Sequence, residues 1–350
     1  MKTASSVPGT RRDTGVRRDT ELLMSQLAGY VAVRTVGIGL RYGLFARLAA
    51  HRDGMRSATL AAETNLNRSY VEVWCRAACA AQLLEATDST YRLDKATATL
   101  LLDRDSDVYL GGLLKVIVQP EVFDWFADKL PTGDRTWWDH LGPEFIAAVS
   151  EVTRPAHIRL IPGGLSRIAD LQETLANGPR ILDLACGTGF GLTRLAETYP
   201  SAQLIGIDGD AYSLGVAADR LDEAGIADRV ELRLSTLEDF DQPGEFDLIA
   251  VNYSMHECSD IEKVTDNVHR GLRRGGFFVI SDFPFPDRQE GLRTPPGTIM
   301  SGIQFHEALI GDQLLPVQTF VELLERHEFH AVDSFMLAPM HAVIHGRRSV

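Results

Sequence analysis

The chain has 350 residues, of which 45% are hydrophobic and 24% charged, the make-up of a folded globular protein rather than a disordered or fibrous one. Its 35 basic and 48 acidic side chains give a formal net charge of −13, and no long basic run offsets it, so DNA and RNA are poor partners. At roughly 100–200 residues per domain the length predicts two domains, and no run of about 18 uncharged apolar residues marks a membrane span.

In chain order, residues 1–18 are polar and Arg-rich and read as a disordered tail. From Thr20 to Ala50 apolar residues recur at helical spacing, and Gly29, Gly37, Gly39 and Gly43 predict a break into two helices. Ser57 to Asp94 reads as helix, turn, helix and a two-stranded ribbon, with a cap at Asn67–Ser69 and a turn at Asp88–Ser89. This is a winged-helix pattern within a domain over 19–105. Its second helix offers only Arg76 as an internal base, too few for a groove reader, which favours a dimerisation platform over DNA binding. A mostly helical connector follows over 106–177. Its aromatics, Phe123, Trp125, Phe126, Trp137 and Trp138, contribute to a substrate pocket or to core.

The texture changes after Gly178–Pro179. Short apolar runs (RILDLACG, AQLIGID, RVELRLS, FDLIAVNYS, GGFFVISD) are separated by helical segments or loops. They predict an α/β fold over 178–350 with a Rossmann-like, doubly wound, mostly parallel sheet. FHAVDSFML and HAVIHGR would add antiparallel edge strands. Cys75, Cys79, Cys186 and Cys258 form no CxxC pair, which fits a reduced, cytoplasmic setting.

The strongest motif is Asp183-Leu184-Ala185-Cys186-Gly187-Thr188-Gly189, a strand running into a helix, whose glycines let the backbone approach a ligand closely. Asp208 ends the next strand, where a carboxylate can accept hydrogen bonds from both hydroxyls of a ribose. The acid ahead of the turn suits a cationic amino-acid moiety better than a pyrophosphate. With FDLIAVNYSMHE and GLRRGGFFVISD behind it, this segment resembles the class I S-adenosylmethionine (SAM)-dependent methyltransferases. The resemblance implies that Asp183, Ala185, Gly187 and Gly189 surround the methionine part of SAM and that Asp208 holds its ribose. It adds Gly209, Thr236, Leu237 and Asn252 to the cofactor site. Ala185 stands where the family usually has glycine, and Ser235–Thr236 where an aspartate often meets the adenine.

A winged-helix start on such a sheet is similar to the small-molecule O-methyltransferase superfamily, whose members dimerise through the N-terminal part. The resemblance implies a homodimer and places His256 as general base toward a phenol, with Glu257 and Cys258 replacing the family's aspartate and tryptophan. The orienting carboxylate expected later in the chain is missing, since LLPVQTF has Val317 and Gln318 in its place. His256 and Glu257 also adjoin each other, and His306 follows 50 residues later. Two imidazoles and a carboxylate form the facial set that holds iron or a similar metal. That pattern resembles the metal-dependent methyltransferases that C-methylate 2-oxo acids. By this resemblance His256, Glu257 and His306 hold a transition metal (iron, zinc or similar). Lewis acidity at such a metal would stabilise the substrate enolate, and Arg135, in the aromatic segment, is the candidate to clamp the substrate carboxylate in bidentate fashion.

Three readings follow. The leading one is metal-assisted C-methylation of a 2-oxo acid in secondary or amino-acid metabolism. The alternatives are O-methylation of a phenol with His256 as base and a SAM-sensing winged-helix regulator. The remaining histidines, among them His140, His327, His330 and His341, form no arrangement with an evident role.

Overall fold

A computed structural model describes residues 10–136 and 142–349. The chain forms two compact units. One runs up to Asp103 and includes Tyr109–Val118; the other holds Arg104–Val108 and everything from Gln119 onward.

The first unit opens with α1 (Thr10–Arg41) and α2 (Leu44–Ala49). The part of the expected tail from Thr10 to Arg18 is helical, and the predicted break at Gly29, Gly37 and Gly39 is absent. Two of these glycines make room for neighbours. A Cβ on Gly37 would lie 3.0 Å from Val118 Cγ1, and one on Gly39 would lie 2.6 Å from Trp74 Cζ2. Packing thus offsets the ~1 kcal/mol per glycine that helix propensity costs. Only Gly43, at φ 67°, ends the helix.

Then follow β1 (Met55–Arg56), α3 (Ser57–Thr64), α4 (Arg68–Ala80), β2 (Glu85–Thr87), β3 (Thr90–Arg92), α5 (Lys95–Leu102) and α6 (Gly111–Ile117). The three strands pair antiparallel in the order β1-β3-β2. Asn67 caps α4 by accepting from the backbone N–H of Ser69 and Tyr70. Phe45, Leu60, Trp74 and Cys75 fill the core, and Trp74 Nε1 donates to the Thr35 carbonyl at 3.0 Å.

Helix α1 leaves Leu22, Leu23, Met24, Leu27, Tyr30 and Val31 exposed. Its Gly15–Arg41 stretch is long and apolar enough to cross a membrane by length and composition alone. Arg34 interrupts that stretch and donates to the Val118 carbonyl at 2.6 Å. Thr35 and Val36 are buried in the unit's own interior.

The second unit contributes α7 (Pro120–Lys129), α8 (Pro143–Ile158), α9 (Leu171–Leu175), β4 (Arg180–Leu184), α10 (Phe190–Thr198), β5 (Gln203–Asp208), α11 (Ala211–Glu223), β6 (Val230–Leu234), β7 (Phe246–Asn252), α12 (Ile261–Gly271), β8 (Leu272–Asp282), α13 (Gln289–Leu292), α14 (Pro295–Ile310), α15 (Val317–Arg326), β9 (His330–Ala338) and β10 (His341–Arg347). Its seven-stranded sheet runs β6-β5-β4-β7-β8-β10-β9. The first five strands are parallel, as their alternation with helices and loops predicts. Of the two late strands expected at an edge, only β9 is one. β10 is inserted between β8 and β9, antiparallel to both, and its His341–Ile344 run is accordingly buried.

Strand order reverses between β4 and β5 on one side and β4 and β7 on the other. This switch point opens a crevice at the carboxyl ends of the strands, where open α/β sheets bind ligands. Cores on the two faces of the sheet hold it rigid, one around Leu182, Phe246, Phe278 and Phe320, the other around Ile181, Leu204, Leu248 and Val279.

Candidate active site

Beyond β4 the backbone turns through three left-handed residues, Ala185 (φ 55°), Gly187 (φ 52°) and Gly189 (φ 78°). Two are glycines, for which this region carries no steric penalty; Ala185 bears a cost of roughly 1–2 kcal/mol. Past the turn, Gly191 has no room for a side chain, because a Cβ would stand 2.7 Å from both Asp183 Oδ2 and His157 Cδ2.

The turn lines a cavity of about 450 Å³. Ala185, Gly187, Asp208, Gly209, Thr236, Leu237 and Asn252, all expected at the cofactor, line it together with Glu257 and Cys258. Asp183 and Gly189, also expected at the cofactor, are not among the residues that line it. One wall was not anticipated: Ile146, Val149, Ser150, Thr153 and His157 of α8 also face the cavity. Their spacing of three and four is the signature of a single helix face, legible in the sequence as a stripe but not as a binding surface.

The acids of the site are held by backbone and burial. Asp208 accepts from the N–H of Gly187 at 2.7 Å and of Asp210 at 2.9 Å, which fixes the carboxylate at the end of β5. Burial nevertheless raises its pKa above the usual carboxylate value. Asp183 is 4% exposed, and its Oδ2 has no hydrogen-bond partner among the described residues. Burial, then the neighbouring Asp208, pushes its pKa up to about 7. An orphaned buried carboxylate oxygen beside a cavity fits the ammonium of the methionine part of SAM, which would restore its charged form.

At the cavity's other end, a 3-10 turn after β7 (Met255–Glu257) buries His256. Its Nδ1 lies 2.6 Å from Asp282 Oδ1 at the end of β8, and its Nε2 lies 3.6 Å from Glu307 Oε2 on α14. Asp282 therefore supplies the orienting carboxylate that LLPVQTF lacks. Burial opposes a charged imidazole, but the carboxylates, Asp282 foremost, outweigh it and push the His256 pKa up to about 10. Glu257 is raised by burial and by Glu307, while Glu307 itself is raised to about 7, chiefly by burial.

The metal set expected from sequence was His256, Glu257 and His306. Candidate ligand atoms of His256, Glu257 and Glu307 lie within 4.8 Å of one another, so Glu307 takes the place expected of His306. The reason is helical phase: neighbours on α14 project about 100° apart, and His306 packs its ring on Phe145 with centroids 5.2 Å apart. Arg135, expected to clamp a substrate carboxylate, lies with its guanidinium against Gly311, whose Cβ would meet Arg135 Nε at 2.6 Å. Phe123 and Phe126 pack on Phe305, with centroids 5.6 and 4.6 Å away. Trp137, Trp138 and His140 lie outside the described residues.

A glycine turn at the switch point of a β6-β5-β4-β7-β8-β10-β9 sheet, with an acid ending β5 and an orphaned acid ending β4, defines a nucleoside-binding α/β enzyme of the kind that holds SAM. Residues 175–307 match the model of a methyltransferase domain. An uncharacterized methyltransferase (sll0829) of Synechocystis sp. is 30% identical over 171 residues, spanning 47% of this chain and 74% of that one. The chain belongs to the SAM-dependent methyltransferases. An uncharacterized protein (syc1184_c) of Synechococcus sp. is 39% identical over 103 residues, which span 29% of this chain and only 25% of that protein. Among solved structures, a putative O-methyltransferase of Nostoc punctiforme PCC 73102 superposes over 98% of this chain and all of its own, with a TM-score of 0.73 and 16% identity. The mitomycin 7-O-methyltransferase MmcR covers 96% and 100%, with a TM-score of 0.68 and 17% identity. At such identities the likeness is one of fold.

Proposed function

We propose that the chain methylates a hydroxyl oxygen of a small molecule, a phenol in the first instance, with SAM as methyl donor and His256 as general base. The observation that carries this reading is the 2.6 Å contact between His256 Nδ1 and Asp282, a buried pair next in the chain to Glu257, which lines the cofactor cavity. Asp282 fixes the ring so that Nε2 is the nitrogen that exchanges a proton with substrate. The substrate O–H bond breaks toward Nε2, an oxygen–carbon bond forms to the methyl group, and S-adenosylhomocysteine (SAH) leaves with the electrons of the old sulfur–carbon bond. The protein's share is alignment and exclusion of water.

Metal-assisted C-methylation of a 2-oxo acid is a second reading, favoured by one observation: the clustered donors of His256, Glu257 and Glu307. Two carboxylates and an imidazole suit a divalent or trivalent ion, which would supply Lewis acidity to a substrate carbonyl, and Asp282 behind His256 is the partner such a ligand needs. One assay separates the two. The protein is incubated with SAM and panels of phenols and 2-oxo acids, with and without a chelator. The O-methylation reading expects phenol products that are indifferent to chelator. Turnover of 2-oxo acids alone, lost on chelation and in Glu307→Gln, would overturn it.

The exposed apolar residues of α1 are best accounted for as a face covered by a second copy, making the protein a homodimer. Light scattering is expected to give twice the chain mass of 38.6 kDa. Leu23→Asp with Leu27→Asp should shift that value toward one chain mass. A monomeric wild type would remove the assignment.

A further inference from the structure

We infer that His341, a residue with no evident role in the sequence, is a positioning residue for the cofactor and acts through Ser281 and Asn252. The three sit on adjacent strands β10, β8 and β7, at the carboxyl ends of β7 and β8. Ser281 Oγ lies 2.6 Å from His341 Nε2 and 2.5 Å from Asn252 Oδ1, and Asn252 Nδ2 lies 3.2 Å from His157 Nδ1 and 3.3 Å from His157 Nε2. Asn252 and His157 line the cofactor cavity, whereas Ser281 and His341 are fully buried behind it.

The direction of this chain is dictated by the one group in it that cannot accept. Arg159 Nε stands 3.1 Å from His341 Nδ1, and a guanidinium only donates. His341 Nδ1 must therefore present its lone pair, so the ring is neutral and carries its proton on Nε2. Nε2–H donates to Ser281 Oγ, the Ser281 hydroxyl donates to Asn252 Oδ1, and the Asn252 amide is left with its N–H groups turned away from Ser281. Of the two His157 nitrogens that the amide approaches, Nε2 is the one that can accept, because Nδ1 also faces the Thr153 carbonyl at 3.2 Å and holds that ring's proton. The low pKa of both rings, pushed down by burial and nearby arginines to about 4 at His157 and about 3 at His341, keeps this pattern intact across the working pH range.

The outcome is a wall that offers the cavity a donor where a flipped amide would offer an acceptor. Asn252 ends β7, which pairs with β4 so that Asp183 lies opposite Ala250, and Asp183 and His157 both close on Gly191, so the donor serves an oxygen of the methionyl end of SAM, its carboxylate. Asp183 takes the ammonium.

This inference rests on SAM being the cofactor, and calorimetry separates the two. SAH and 5′-methylthioadenosine, which lacks the amino-acid end, are titrated into wild type, His341→Leu, His341→Gln and Ser281→Ala. One lost hydrogen bond to a charged group predicts roughly 10-fold weaker SAH binding in His341→Leu and Ser281→Ala. Methylthioadenosine binding should stay within about twofold in both. Gln keeps an acceptor for Arg159 and a donor for Ser281, so His341→Gln should restore most of the SAH affinity. Equal weakening toward both ligands would mean the cavity has merely lost its shape, and the inference falls. It falls equally if SAH binding does not change, or if Gln is as poor as Leu. Should His341→Leu fail to fold, Ser281→Ala carries the same comparison. A wild type that binds neither ligand overturns the cofactor reading instead.

Discussion

Replacing His256 by alanine is expected to slow methyl transfer about 10²–10⁴-fold, the usual worth of a positioned base, with SAH affinity left nearly unchanged. His256 meets Asp282 and Glu307 rather than the nucleoside end of the cavity, so its loss removes the proton acceptor without dismantling the cofactor site. The pH profile makes the prediction sharper. Asp282 favours the charged ring and raises its pKa to about 10, so at neutral pH most of His256 is protonated and only the minor, neutral fraction serves as base. The rate in wild type should therefore climb with pH toward that value. Asp282→Asn removes the carboxylate that holds the proton. The acid limb should then move to lower pH even as the maximal rate falls, because the ring has lost its orientation. A limb that stays in place in Asp282→Asn would mean that another group titrates. An unchanged rate in His256→Ala would end the general-base assignment altogether.

Asp208→Ala should weaken SAM and SAH binding on the order of 10²-fold. Two losses add. The carboxylate is the ribose acceptor that the family resemblance implies, and it also anchors the glycine turn by accepting from Gly187 and Asp210. Asp208→Asn keeps one acceptor oxygen and should fall between wild type and alanine. Burial raises the Asp208 pKa, so binding should weaken on acidification sooner than an ordinary carboxylate would dictate, as the protonated acid ceases to accept from two donors. Calorimetric titration of SAH across pH reads both effects. Full affinity in Asp208→Ala would remove this residue from the cofactor site.

The parts of the site that the sequence made legible are local. Asp183, Ala185, Gly187 and Gly189 lie within a seven-residue turn, and Asp208 follows at the end of the next strand, so spacing alone carries the chemistry. What escaped depends on contacts between distant segments. His256 meets Asp282 across 26 residues, Asn252 meets His157 across 95, and Ser281 meets His341 across 60. The family resemblance places the orienting carboxylate in LLPVQTF, whereas strand pairing puts Asp282 beside His256. Glu307 displaced His306 because a single step along a helix turns the side chain by about 100°, which residue spacing does not reveal. In α1 helix propensity marks the glycines as breakers, yet Gly37 and Gly39 serve as flat places for Val118 and Trp74.

The inserted strand β10 also bears on the order in which the molecule assembles. Only Pro339 and Met340 separate it from β9, so these two strands can form a hairpin within about 1–10 μs as a self-contained step. Its pairing with β8 spans a far longer loop and carries the larger closure entropy. His341 rides on that hairpin. Until it docks, the five parallel strands can be in place while the Asn252 amide has nothing to settle its orientation. The donor for the amino-acid end of SAM is thus settled only when the hairpin docks, so capture of SAH by a refolding chain, far more than capture of methylthioadenosine, reports on the arrival of the hairpin.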